Sequence, residues 1–148
     1  MRLMNSSRTR LFLIYLAVFA VLGCQEAPKP KRIPTYPVHG TLRIDGAPAV
    51  GASVKFYAAD KGGRMPAAIV REDGAFSASF YATEDGAPAG EYRLLVLWMV
   101  PPPAGGLPVD RLQGRFTDPS RPVRIVTIVA GENHLPAIEI SSATSPTR

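Results

Sequence analysis

One cysteine, two histidines and one tryptophan are all that the 148 residues offer of the side chains that most often mark metal, redox or stacking chemistry. A lone cysteine excludes an internal disulfide and a thiolate-rich metal centre. His39 and His134 stand far apart in sequence, and a zinc site takes three or four ligands, so no metal and no cofactor is expected. Charged residues reach only 20%, too few for a charge-dominated disordered chain. Also missing is a helical period: after residue 24 no segment repeats apolar residues every three or four positions. What is abundant is glycine and proline, 13 and 15 residues, which predicts many turns between short elements. The net charge of +5 is local. Arg2, Arg8 and Arg10, then Lys29, Lys31 and Arg32 against Glu26, account for all of it, while 11 Lys/Arg meet 11 Asp/Glu from Tyr36 onward. No basic face is left for nucleic acid.

The three early arginines precede an unbroken apolar run, Leu11 to Leu22. A spanning helix needs about 20 such residues, so this run suits the apolar part of a signal peptide. It ends in Val21-Leu22-Gly23-Cys24, which resembles the lipobox of bacterial lipoproteins. That resemblance implies a signal peptide over 1–23, cleavage before Cys24, and diacylation of its thiol. Two acyl chains, at ~0.8 kcal/mol per buried CH₂, anchor a chain stably in membrane lipid. Gln25 after the cysteine implies, by the same resemblance, the outer membrane. Residues 24–37 contain Pro28, Pro30, Pro34 and Pro37 and read as a semi-rigid tether, about 3.1 Å per residue. Its basic residues either meet anionic headgroups or simply keep it soluble.

Beyond the tether the period is two. Val38, Gly40, Leu42 and Ile44 alternate with polar neighbours, as do Ala52, Val54 and Phe56, and Phe76, Ala78 and Phe80. Asp45-Gly46, Asp73-Gly74 and Asp85-Gly86 mark turns between them. Further strands are expected near 67–71, 92–100, 123–129 and 134–140. Seven short strands over 38–140 predict an all-β, two-sheet Greek-key sandwich, with 141–148 as a flexible tail. The strand of Tyr92, Leu94, Val96 and Trp98 is expected at the core centre, against Val54, Phe56, Phe76 and Phe80. The sequence Asp-Gly-Ala-Pro-Ala occurs at both 45–49 and 85–89, and turn chemistry suffices to explain the repeat.

The stretches at Gly40–Tyr57, Glu72–Phe76, Pro88–Val96, Gly114–Pro119 and Gly131–Ile140 resemble carboxypeptidase regulatory-like, or transthyretin-like, sandwich domains of small bacterial lipoproteins. The resemblance implies a β-sandwich that serves as an accessory, binding or anchoring module. Transthyretin-like folds also include hydroxyisourate hydrolases, but their C-terminal Tyr-Arg-Gly-Ser signature is missing.

A search for catalytic patterns finds no Gly-x-Ser-x-Gly elbow and no Asp-x-Asp-x-Asp-Gly calcium loop. Catalytic residues are therefore not expected. Two other stretches stand out. If Tyr92 and its alternates face the core, Leu95, Leu97 and Met99 form an outward apolar strip, a candidate partner face unless the segment Pro101–Gly106 covers it. The connection from Pro101 to Pro122 exceeds the common ~12–15 residues. Its Asp110, Arg111, Arg115 and Asp118 are candidates for holding a polar or sugar-like ligand, or else they pair and hold the loop. The expectation is a membrane-anchored, non-catalytic binding or accessory module, partnered by an envelope protein or glycan. The alternatives are a structural envelope protein and a hydrolase of the transthyretin-like class.

Overall fold

The alternation of Val38, Leu42 and Ile44 with exposed or half-buried neighbours builds the first strand of the computed structural model, which describes residues 32–58 and 63–143. The expected signal peptide, the expected lipobox with Cys24, the first part of the expected tether and the end of the expected tail lie outside the described residues. Eleven strand segments follow in order: β1 (Val38–Ile44), β2 (Ala47–Pro48), β3 (Ser53–Tyr57), β4 (Ala67–Ile69), β5 (Ala75–Ser77), β6 (Gly90–Leu97), β7 (Met99–Val100), β8 (Val109–Asp110), β9 (Arg124–Ile128), β10 (Asn133–His134) and β11 (Ile138–Ile140). The described residues contain no helix, so none long and apolar enough to cross a membrane.

One sheet is built on β1. It pairs antiparallel with β5 and β2 along one edge, and parallel with β10 and β11 along the other. The second sheet runs β4-β3-β6-β9, every pair antiparallel, and β7 and β8 form a separate hairpin. The inner faces share one core. Leu42, Val54, Phe56, Phe76, Leu94 and Val96 are fully buried in it. Phe56 and Tyr92 meet edge to face at 6.0 Å, and the Tyr92 hydroxyl donates to the Pro88 carbonyl, satisfying its polar end. Gly40 has a specific reason: a Cβ there would stand 2.5 Å from the Phe76 ring, which lies across β1.

The fold is thus all-β and sandwich-like, and each of the seven expected runs contains a strand. Two runs are interrupted for identifiable reasons. Pro136, which has no N–H to give the ladder, falls between β10 and β11. The 92–100 run breaks at Trp98, whose N–H donates to the Asp110 carboxylate and whose carbonyl accepts from Arg111. Those bonds draw the chain out of the second sheet and into the β7–β8 hairpin. Trp98 is consequently half-buried at the margin of the core rather than at its centre. Phe80 is also half-buried, because its N–H is held by Asp85 in a loop.

The candidate partner face is corrected as well. Leu95 does alternate outward from Leu94 and Val96, yet it is only 7% exposed. The connection before β9 returns along β6: Val96 N–H donates to Phe116, Val123 N–H to Leu94, and the Arg93 guanidinium to Pro119. Leu97 is half-buried and Met99 is exposed, so the three residues make no continuous apolar strip.

Candidate functional site

The two copies of Asp-Gly-Ala-Pro-Ala take different shapes, and one of them shapes a cleft. At the first copy Asp45 and Gly46 both have positive φ, 52° and 79°, the type I′ geometry that joins β1 to β2. At the second, Asp85 accepts the N–H groups of Phe80, Tyr81 and Ala82 and closes a wider loop. Burial pushes the Asp85 carboxyl up, but these backbone donors outweigh it and hold its pKa below the ordinary 3.8.

Facing the Asp45 turn is the segment after β8, organised by Asp110. One Asp110 oxygen accepts from Trp98 and Leu112 N–H, the other from Gly114 N–H at 2.6 Å. Leu112 and Phe116 anchor this segment in the core. Arg111, just before the first anchor, is exposed, and Arg115, between the two, is half-buried. The Arg111 guanidinium lies 4.4 Å from the centroid of the Trp98 ring, a cation–π contact, and the indole Nε1 donates to the Val50 carbonyl. Arg115 Nε donates to the Leu112 carbonyl, with its guanidinium 5.9 Å from the Phe116 ring.

Together these elements enclose a cleft of about 430 Å³, lined by Ile44, Asp45, Ala47, Pro48, Val50, Trp98, Arg111, Leu112, Arg115 and Ser142. Its size falls within the usual range for small-ligand sites. Asp45 is held in place by Ser142, whose hydroxyl and N–H bonds lower its pKa, with a smaller contribution from the two arginines. Neither Arg111 nor Arg115 forms an ion pair among the described residues. The cleft therefore carries two guanidinium groups against one carboxylate that is already bonded.

Of the four expected loop residues, the fold brings Arg111 and Arg115 to the cleft and employs Asp110 beneath it. Asp118 is turned to its own loop. It accepts from Ser120 Oγ and N–H and from Arg121 Nε, bonds that hold its pKa down. Asp45, Trp98 and Ser142 join the cleft without a signal in the sequence. The first reads there as an ordinary turn residue and the second as core.

A second grouping lies on the outer face of the first sheet. His39 and His134 are opposed across β1 and β10, with ring centroids 5.6 Å apart. Their Nε2 atoms stand 3.9 and 3.2 Å from one oxygen of Glu132. Neither histidine lines the cleft described above or the smaller hollow of about 360 Å³ around Arg71, Ser77 and Glu84. Among the described residues no three His, Cys, Asp or Glu side chains converge to enclose a metal ion.

No family model and no curated protein matches the chain. Among solved structures, it is similar to a DUF3823 family protein from Parabacteroides merdae, with 17% identity and a TM-score of 0.40 over 74% of this chain and 47% of that one. A 9R-lipoxygenase from Cyanothece matches with 14% identity and a TM-score of 0.39, over 87% of this chain and 20% of that one. The chain thus spans less than half the length of either structure. Neither likeness bears on its function.

Proposed function

We propose that the chain is a lipid-anchored, non-catalytic binding module of the cell envelope, held at the outer membrane through diacylated Cys24. Its domain is a seven-stranded Greek-key sandwich of the carboxypeptidase regulatory-like kind, and the cleft beside Trp98 takes a carboxylate-bearing saccharide. The observation that carries this reading is the pair of guanidinium groups, Arg111 and Arg115, that have no ion-pair partner among the described residues and stand in a cleft walled by an indole. Guanidinium groups recognise carboxylates through paired N–H donors. The Asp45 carboxylate on the opposite wall accepts hydroxyl groups. Stacking on Trp98 keeps Arg111 pre-organised, so little side-chain freedom is lost on binding.

The test is a titration of the full chain with trigalacturonate and with a neutral trisaccharide, read by fluorescence of the single tryptophan. A saturable change with the acidic sugar alone, abolished by the Arg111→Ala/Arg115→Ala double variant, supports the reading. An equal response to the neutral sugar, or an unchanged response in the variant, sinks it. The coverage of Leu95 favours a second reading, a purely structural envelope protein, in which no saccharide titrates the cleft at all.

A further inference from the structure

The chain has only two histidines, 39 and 134, and the fold sets them side by side. Their pairing follows from backbone register. Val38 and Asn133 are paired and buried, so the next residue of each strand points to the opposite, solvated face. The segment that carries Glu132 is rigidly built. The Asn133 amide oxygen accepts from Val129 N–H, and its Nδ2 donates to the carbonyls of Val129, Gly131 and Pro37. Nδ1 of His39 is held at 3.1 Å by Ser77 Oγ, which also accepts from Arg71. That contact orients the ring and leaves Nε2 to face Glu132. Both Nε2 atoms therefore converge on one carboxylate oxygen.

We propose that His39 and His134 form an open two-nitrogen clip for a late divalent transition-metal ion, with water completing the coordination. Imidazole nitrogens select such ions over magnesium or calcium, and copper(II) stands highest in the affinity order. Two imidazoles sharing one ion at about 2.0–2.1 Å hold their centroids roughly 5 Å apart, and here they stand at 5.6 Å before any ion is bound. Glu132 contributes a negative charge at the point of convergence. Ser77 acts as a positioning residue through the far nitrogen of His39, a role that outer partners of metal-bound histidines commonly fill. The clip is independent of the saccharide cleft, which contains neither histidine.

The experiment is a copper(II) titration of the untagged full-length chain, followed by electron paramagnetic resonance. The expected result is one ion per chain with hyperfine coupling to two imidazole nitrogens. His134→Asn, at a side chain 71% exposed, should leave melting unchanged without metal. It should reduce the coupling to one nitrogen and weaken affinity about a hundredfold, as loss of one of two linked contacts does. Ser77→Ala should weaken binding about tenfold while keeping both nitrogens in the spectrum. On the unaltered chain, copper should protect both histidines together from acylation by diethyl pyrocarbonate. An unchanged spectrum in His134→Asn, or protection of only one ring, overturns the proposal.

Discussion

At the scale of single residues, aspartates carry much of the local order, accepting backbone N–H groups at Asp85, Asp110 and Asp118. Asp110 is the clearest case, because three N–H donors from two separate segments end on its carboxylate. Asp110→Ala deprives all three donors of their acceptor at once and is expected to cost about 1.5–3 kcal/mol, the range for bonds to a charged group. Denaturant unfolding measures that cost, and tryptophan emission should shift red as the Trp98 N–H is released. A loss near zero would mean the hairpin is held by its backbone alone. The depressed carboxyls of Asp45, Asp85 and Asp118 give a pH signature with a definite sign. A carboxylate with a lowered folded pKa contributes its full stability above the unfolded value, here 3.8, and loses it as pH falls through the folded value. Melting should therefore hold down to about pH 4 and decline below it. Asp85→Asn should flatten part of that decline. An identical acid profile in the variant would show that Asp85 takes no part.

Among the elements, β6 divides what sequence periodicity reveals from what it hides. Alternation places Tyr92, Leu94 and Val96 inward, where the fold has them, because a period of two is a property of every strand. It is silent on the burial of Leu95, which tertiary structure decides; a segment some twenty residues on bonds along this stretch of β6 through Phe116, Pro119 and Val123. The cleft is half-legible for the same reason. Arg111 and Arg115 stand out in a long connection, while Asp45 and Trp98 join them only through tertiary contact. Leu95→Ala should accordingly cost about 2–3 kcal/mol, toward the lower part of the range for buried leucines, and more than Leu97→Ala. Equal losses, read from unfolding midpoints, would mean that both sites bury alike. The third Asp-Gly pair, Asp85-Gly86, makes a sharper test. A Cβ on Gly86 would meet the Tyr36 carbonyl oxygen at 1.8 Å, and its φ is +88°. Gly86→Ala must break the Tyr36–Ala87 bridge, and Gly46→Ala, with open space around it, serves as the control. Amide exchange at Tyr36 and Ala87 should rise in the first variant and stay low in the second.

Over the whole molecule, charge and thiol are unevenly distributed along the sequence. The basic excess belongs to residues before Tyr36, the following sequence is balanced, and Cys24 is the single thiol. Among the described residues, the packed core draws on side chains from Val38 to Ile140. Lipidation at Cys24 would therefore act on where the domain resides and leave its folding alone. Cys24→Ser is expected to abolish incorporation of labelled fatty acid and to leave an uncleaved precursor, scored by mass and by membrane fractionation. Thermal unfolding of the same variant should match that of the unaltered chain, since the described core is built from Val38 onward. Normal lipid labelling in Cys24→Ser would refute the anchoring site. A lowered melting temperature with labelling lost would show instead that the N-terminal part supports the fold, and the separation argued from charge and thiol would fail.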